Sequence, residues 1–466
     1  MNRMPLPVLP GRIVVKLRAG EAPRAPAAAL DVRAGLARPA TQTGLGAVDR
    51  VLRRHSDSVC ITRVHAACRS QHLPGRRNEG YDELEHVLGM SRTFAVELDR
   101  DAPVAQVAET LANLYEVESA GPVSLCVTPF LERGEQAPDV SRTAIAAAAA
   151  MAREAGLASV TVAVLDTGVA AGRRWFGGNV LGGFDTVALG TGDLAEGLEL
   201  LGDTSGEDLE PADEVGHGTA CAGIIGATTA ALPPGLAGAC TVLPVRVLGS
   251  VRRRGDVNAF GVGSPVDIDA GLKRAVDLGA KVLNLSFGTP LETVGEGRPV
   301  PHEDVVRYAS ARGCVLVAAS GNSGREEAYT PASLPGVVAV GAVDQEGAPA
   351  AYMSRGSHVD LCAPGSGVLT AGLEGPVRVT GTSFAAPFVT AAAALLVSRA
   401  ARRSHPLDGP GAAELLRSSA RPWRSSTIQG CGVGVLDVNG ALDALDRLID
   451  HGSTPPPGGG RTTPTT

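Results

Sequence analysis

Hydrophobic and polar positions fall into three regimes along the chain. Up to about residue 130, short apolar runs are set among polar and Pro/Ala/Arg-rich stretches. Residues 12–17 (RIVVKL) and 93–98 (TFAVEL) read as strands, 104–114 as a helix, and 117–120 and 123–127 as further extended runs. That succession predicts a small α+β unit with an antiparallel sheet. From about 131 to 450 the pattern changes. Near-continuous apolar runs at 160–165, 241–247, 281–285, 315–319 and 337–343 alternate with Ala-rich stretches of helical character. Continuous apolarity marks strands buried on both faces, hence a mainly parallel sheet between two layers of helix, an α/β fold. Residues 144–150, almost all Ala, read as helix on propensity. The final stretch, STPPPGGGRTTPTT at 453–466, has nothing to bury and reads as a disordered tail or the stub of a linker. Three segments are therefore expected: 1–130, 131–450 and 451–466.

Composition narrows the partners. The 466 residues are 44% hydrophobic and 20% charged, enough to bury the cores of two or three domains. Forty-two Lys+Arg against 49 Asp+Glu give a net charge of −7. Residues 1–130 carry 16 basic and 14 acidic side chains, a balance of +2, and the remainder carries −9. The imbalance is compatible with docking of the front on the body. It offers no electrostatic ground for a nucleic-acid partner. No run reaches the roughly 18–20 uninterrupted apolar residues of a membrane span, so no membrane partner is expected. MNRMPLPVLP lacks the apolar core of an export signal, which points to the cytoplasm and leaves leaderless export open. The eight cysteines (60, 68, 126, 221, 240, 314, 362 and 431) show no CxxC or other metal-like spacing. Free, mostly buried thiols and no metal site are expected.

Four segments carry chemistry. VAVLDTG ends an apolar strand in Asp166, and the C-terminal edge of a parallel sheet is where active sites assemble; many strands also end in Asp before a turn. GHGTACAG sets His217 between glycines at the head of a small-residue helix, where another backbone can approach closely. AASGNSG runs a strand into a turn bearing Asn322, either an ordinary turn residue or a side-chain amide aimed at an oxyanion. GTSFAAP puts Ser383 at a helix N-terminus, where free N–H groups favour negative charge; a plain N-cap is the ordinary alternative.

Taken together and in this order, Asp, His, Asn, Ser, the segments resemble the subtilisin-like serine peptidases, the subtilase family, over about residues 155–440. The resemblance implies a subtilisin-like three-layer fold and a serine endopeptidase working through an acyl-enzyme intermediate. In it Ser383 would be the nucleophile, His217 the general base and Asp166 the residue orienting the imidazole. Asn322, with the Ser383 N–H, would form the oxyanion hole. Ser286, Phe287 and Gly288, with Ala319, Ser320 and Gly321, resemble the segments that grip an extended peptide or protein substrate. Residues 12–17 and 91–127 resemble the family's propeptide, implying an intramolecular inhibitor and chaperone domain and a self-processing zymogen cut within 129–142. The alternative is a domain that stays attached with another role.

Three features depart from the family pattern. Between Asp166 and His217 the acids Asp193, Glu196, Glu199, Asp203, Glu207, Asp208, Glu210, Asp213 and Glu214 run with no Lys or Arg among them. A solvated surface loop is expected, with a cleft-side stretch favouring basic substrates, or a calcium site, as the sharper readings. Residues 227–234 (ATTAALPP) lack the Asn/Asp-rich loop of a common family calcium site, so no cofactor is expected and calcium remains only a candidate for stability. Cys221, one helical turn after His217, is expected as a buried bystander beside the active centre that makes the protein sensitive to mercurials. Outside the peptidase reading, a binding module that uses the cleft without cutting is the rival. A dedicated processing peptidase with one partner is the narrower version of the main reading.

Overall fold

The computed structural model of the chain describes residues 8–21, 26–68, 80–128, 132–133, 160–170, 173–195, 197–206, 209–238, 240–295, 298–424 and 428–451. The expected helix at 144–150 and the tail at 453–466 lie outside them.

Alternation builds the first unit. Along β1 (Val8–Leu17) buried and half-buried positions take turns, and Ile13, Val15 and Leu17 point into one small core. That core is completed by α1 (Gly46–His55), β2 (Cys60–Arg63), β3 (Thr93–Glu97), α2 (Val104–Ala112) and β4 (Val117–Ser124). The strands form an antiparallel sheet in the order β2-β3-β1-β4, as the sequence pattern predicts. The expected strand over 123–127 is divided, however. β4 ends at Ser124, and β5 (Cys126–Val127) leaves the small sheet for a partner in the following unit. The stretch VSLCV holds no Gly or Pro at this change, so the strand pattern alone does not reveal it.

The second unit begins with β6 (Glu132–Arg133) and β7 (Thr161–Asp166). After it come β8 (Phe184–Asp185), β9 (Asp193–Ala195), β10 (Leu198–Leu201), α3 (His217–Gly226) and β11 (Thr241–Arg246). Then follow β12 (Gly249–Arg253), β13 (Ala259–Gly263), α4 (Pro265–Asp277), β14 (Val282–Leu285) and α5 (Glu303–Ala311). The chain continues through β15 (Val315–Ala319), β16 (Val337–Val343), β17 (Leu361–Pro364), β18 (Pro376–Thr380) and α6 (Thr382–Arg402). Short edge strands β19 (Arg421–Pro422) and β20 (Gly434–Val435) close the sheet. Nine strands run β19-β20-β17-β16-β15-β14-β7-β11-β8, all parallel except the β19–β20 edge pair. The side chains of the central strands are buried on both faces, where α3 and α6 cover one and α4 and α5 the other, while the edge strand β19 is exposed. This is the expected three-layer α/β arrangement. The helix α6 is long and apolar enough to cross a membrane, but here it is the buried core helix.

A second, antiparallel sheet runs β5-β13-β12-β10-β9. It corrects the reading of the acidic stretch as a solvated loop: part of that stretch is the hairpin β9–β10. Its carboxylates are held by arginines of the strands alongside. Glu199 pairs with Arg252 at 2.8 Å and Asp193 with Arg254 at 3.0 Å. The buried Arg246 guanidinium is clasped by Asp185, by the Asp203 carbonyl at 2.5 Å and by Glu214 at 3.3 Å. Asp193 and Glu199 stay about half exposed in these pairs, whereas Arg246 is buried. The arginines lie some 30 to 60 positions further along the chain, beyond any local pattern.

The first unit docks on α4 and α5. Its insertion after β2 carries a short helix, Glu83–Val87, capped by a reciprocal Asp82–Glu85 box. Glu85, fully buried, meets the equally buried Lys273 of α4 at 2.5 Å, and Lys273 also reaches Asp277 at 2.7 Å. Asp82 pairs with Arg312, while Lys16 of β1 reaches Asp304 at 2.7 Å.

Candidate active site

The carboxyl end of β7 delivers Asp166, and the head of α3 delivers His217. Their approach depends on Gly218: a Cβ there would lie 2.1 Å from the Gly168 carbonyl and 2.9 Å from the Asp166 Cβ. With hydrogen alone at that position, His217 Nδ1 sits 2.7 Å from Asp166 Oδ1, both residues buried. The Thr167 N–H donates to the same carboxylate oxygen at 2.8 Å. His217 Nε2 is buried without a hydrogen-bond partner, and the ring lies tilted on Phe384 with centroids 5.1 Å apart. Phe384 is the neighbour of Ser383, so α6 brings the serine to the imidazole.

One clamp here escaped the sequence reading. Asp213, counted there as one of the acidic stretch, ties the two arms of the site together. Its Oδ1 accepts from Thr167 Oγ1 at 2.8 Å and from the Gly216 N–H at 2.8 Å. Its Oδ2 accepts from the Thr219 N–H at 2.9 Å and hydroxyl at 2.6 Å. Burial pushes its carboxyl up, against the pull of these donors. The available signal was an Asp four positions before His217, just upstream of the predicted helix, in the manner of an N-terminal cap.

Ser383 stands in the first turn of α6, entered through Gly381 at φ 151°, a conformation that L side chains rarely adopt. Pro387 lies four residues on and has no N–H, so the Ser383 carbonyl has no donor from within the helix. Ser286 Oγ supplies one at 2.8 Å and the Cys221 thiol another at 3.4 Å. A chain of bonds stands behind Ser286: Asn284 Nδ2 donates to its hydroxyl at 2.9 Å, and Thr390 donates to Asn284 Oδ1 at 2.9 Å. The Ser383 hydroxyl itself donates to the Ser286 carbonyl at 3.0 Å, not to His217. Catalytic hydrogen bonds of this kind often form or tighten only with substrate bound.

Asn322 completes the group. Its Oδ1 accepts from the Thr382 N–H at 3.0 Å and hydroxyl at 2.9 Å, leaving the NH₂ as the end able to donate. That nitrogen lies close to Gly381, just ahead of Ser383. Ala319, Ser320 and Gly321 lead into this turn, and the Gly321 N–H donates to Thr382 Oγ1 at 3.3 Å. Ser286, Phe287 and Gly288 line the opposite wall. Every sequence-predicted site residue therefore converges on one cleft.

The Subtilase family profile matches residues 158–433, well over half of the chain. The chain belongs to the subtilase family. This subtilase is 36% identical over 248 residues to a thermophilic serine proteinase of Bacillus sp. (strain AK1), covering 52% of this chain and 53% of that protein. It is 34% identical over 242 residues to thermitase of Thermoactinomyces vulgaris, covering 51% and 75%. The chain thus spans about half the length of the first relative and three quarters of the second. Among solved structures, a prenylagaramide maturation protease superposes with a TM-score of 0.50 at 27% identity, covering 64% of this chain and 98% of that one. A protease of Pseudoalteromonas arctica gives 0.51 at 26%, covering 63% and 92%.

Cys221 is fully buried, and desolvation together with the Asp166 charge raises its thiol pKa well above the ordinary value. It is no nucleophile, yet its sulfur touches the Ser383 carbonyl. A mercurial is expected to react slowly and, once bound, to abolish activity by pushing the serine out of line. Cys221→Ala is expected to resist the reagent. Full activity in protein shown by mass to carry mercury on Cys221 would contradict this.

Proposed function

We propose that this subtilase is a serine endopeptidase, made as a zymogen whose first 130 or so residues act as its intramolecular inhibitor. One observation carries the reading: the chain's own segment lies in the cleft as an extended substrate would. β5 pairs antiparallel with β13, Cys126 opposite Gly263 and Val127 opposite Val262, while Val127 bridges to Gly288 on the other side. The Thr128 N–H donates to the Gly261 carbonyl at 2.8 Å, and the Gly261 N–H to the Thr128 hydroxyl at 2.9 Å. The chain then reappears as β6, paired with β18 immediately before Ser383. Main-chain bonds of this kind bind a peptide without regard to most of its sequence.

The chemistry follows from the groups in place. Ser383 Oγ attacks the peptide carbonyl carbon as its proton passes to His217 Nε2, and Asp166 holds Nδ1–H and steadies the imidazolium. The oxyanion is met by the Asn322 amide and the Ser383 N–H. His217 then protonates the leaving amine, an ester on Ser383 remains, and water activated by the same His217 releases it. This sequence requires no cofactor. A fluorophosphonate probe is the direct test: labelling at Ser383 agrees, and a folded protein that is neither labelled nor cut would make it a binding module.

The inhibitor role adds its own expectation. Removing the Glu85 charge leaves the buried Lys273 with Asp277 alone, a loss below the about 3–5 kcal/mol of a fully uncompensated buried charge. Glu85→Gln is therefore expected to loosen the first unit, so that freshly purified protein hydrolyses a small peptide sooner than wild type. An unchanged lag would mean that the Glu85–Lys273 contact does not govern latency.

A further inference from the structure

The wall of the cleft facing Cys126 holds a residue that the reaction itself does not use. His302 precedes α5 with φ 71°, a left-handed conformation that Asn or Gly adopts with less strain. Its ring is buried, with Nδ1 2.5 Å from Asp269 Oδ1 of α4. Burial opposes a charge on the imidazole, but the adjacent carboxylate outweighs it and the Cys126 side chain adds to the rise, bringing His302 to about 9. Burial likewise lifts Asp269 against the pull of the imidazolium, and the 2.5 Å contact favours the charged pair. His302 Nε2, the nitrogen that Asp269 does not engage, is buried with no hydrogen-bond partner in the protein. Phe287 of the cleft wall packs edge-on against the same ring, centroids 6.1 Å apart. Cys126, fully buried, shares a core with Phe287 and Ile268.

A buried donor with nothing to donate to is costly, and the cleft strand is where an acceptor can arrive. We propose that His302 is a specificity-determining residue: with Asp269, Phe287 and Ile268 it forms a subsite for a small substrate side chain carrying a sulfur or oxygen acceptor. Cys126 is the side chain resident beside the ring, its weakly accepting sulfur making no hydrogen bond to Nε2, and Ser, Thr and Asp are small side chains of the same class with stronger acceptors. The inference rests on reading β5 as a substrate-like strand. Bulky apolar side chains fail on two counts here, since they overfill the position and leave the imidazolium N–H unpaired. A site built around a hydrogen bond rejects analogues lacking the partner group more strongly than a merely greasy pocket does.

The test uses the full chain. Wild type and His302→Asn, a substitution that suits the left-handed backbone, are given a peptide library varied over the four positions before the cut. Wild type is expected to favour Cys, Ser, Thr or Asp over Leu and Phe by roughly tenfold or more in kcat/KM at one of these positions. His302→Asn is expected to lose that preference mainly through KM, while peptides with Ala there change little. Should His302→Asn fail to fold, Cys126→Ser and Cys126→Leu in the wild-type background give a second reading: Ser keeps the rate of self-cleavage and Leu slows it. A wild type that favours Leu or Phe at every position, or a preference that survives in His302→Asn, overturns the proposal. A folded wild type that neither cuts nor takes up fluorophosphonate overturns the peptidase reading and this one with it. Labelling without the preference sinks only the subsite.

Discussion

Ser383→Ala is expected to leave the full chain intact where wild type is cut within residues 129–142, and to lower peptide hydrolysis by about 10⁶-fold, the scale of losing the nucleophile in subtilisin. The argument is geometric. Ser383 occupies the first turn of α6, its neighbour Phe384 packs on the His217 ring, and its carbonyl is taken by Ser286 and Cys221. Cys126–Val127 pair with β13 on one side of the serine, and Glu132–Arg133 pair with β18 just ahead of it on the other. Intact mass and N-terminal sequencing of both proteins read the result. Cleavage of the Ala variant at the same bond, at the same rate, would mean that another agent cuts it.

Asp166→Asn should be the next most damaging change, costing about 10⁴-fold in kcat with little effect on folding or KM. The carboxylate accepts from His217 Nδ1 at 2.7 Å and from the Thr167 N–H at 2.8 Å. An amide at this buried position keeps the shape. It can present its NH₂ to Nδ1, which then turns acceptor and moves the ring proton to Nε2, the nitrogen that must take the serine proton. Labelling by fluorophosphonate should fall in parallel with turnover. Retention of more than a tenth of wild-type kcat would remove Asp166 from the orienting role.

Much of this was legible along the chain because it is local. A strand buried on both faces has to be apolar throughout, and residues 160–165 and 315–319 are; a nucleophile at a helix N-terminus needs a small-residue entry, which GTSFAAP shows. The order and spacing of Asp166, His217, Asn322 and Ser383 carried the family as well. The antiparallel sheet of the first unit followed from alternation in β1 and β3.

What only the tertiary structure decided was partnership at long range. Asp193, Glu199 and Glu214 remain partly exposed, yet each is paired with an arginine some 30 to 60 residues distant that the β11–β12 region brings alongside. Residues 123–127 (VSLCV) read as one strand, yet β4 pairs with β1 and β5 with β13, because the edge of the cleft offers backbone groups that the small sheet does not. Asp213 becomes a clamp only when β7 and α3 present Thr167 and Thr219 to it together. Glu85 and Lys273, nearly 190 residues apart, are compatible with burial because each meets an opposite charge there, Lys273 with Asp277 as a second partner. Periodicity in sequence records which face of an element is buried; which charge or backbone edge meets it there is set by the packing of elements distant in the chain.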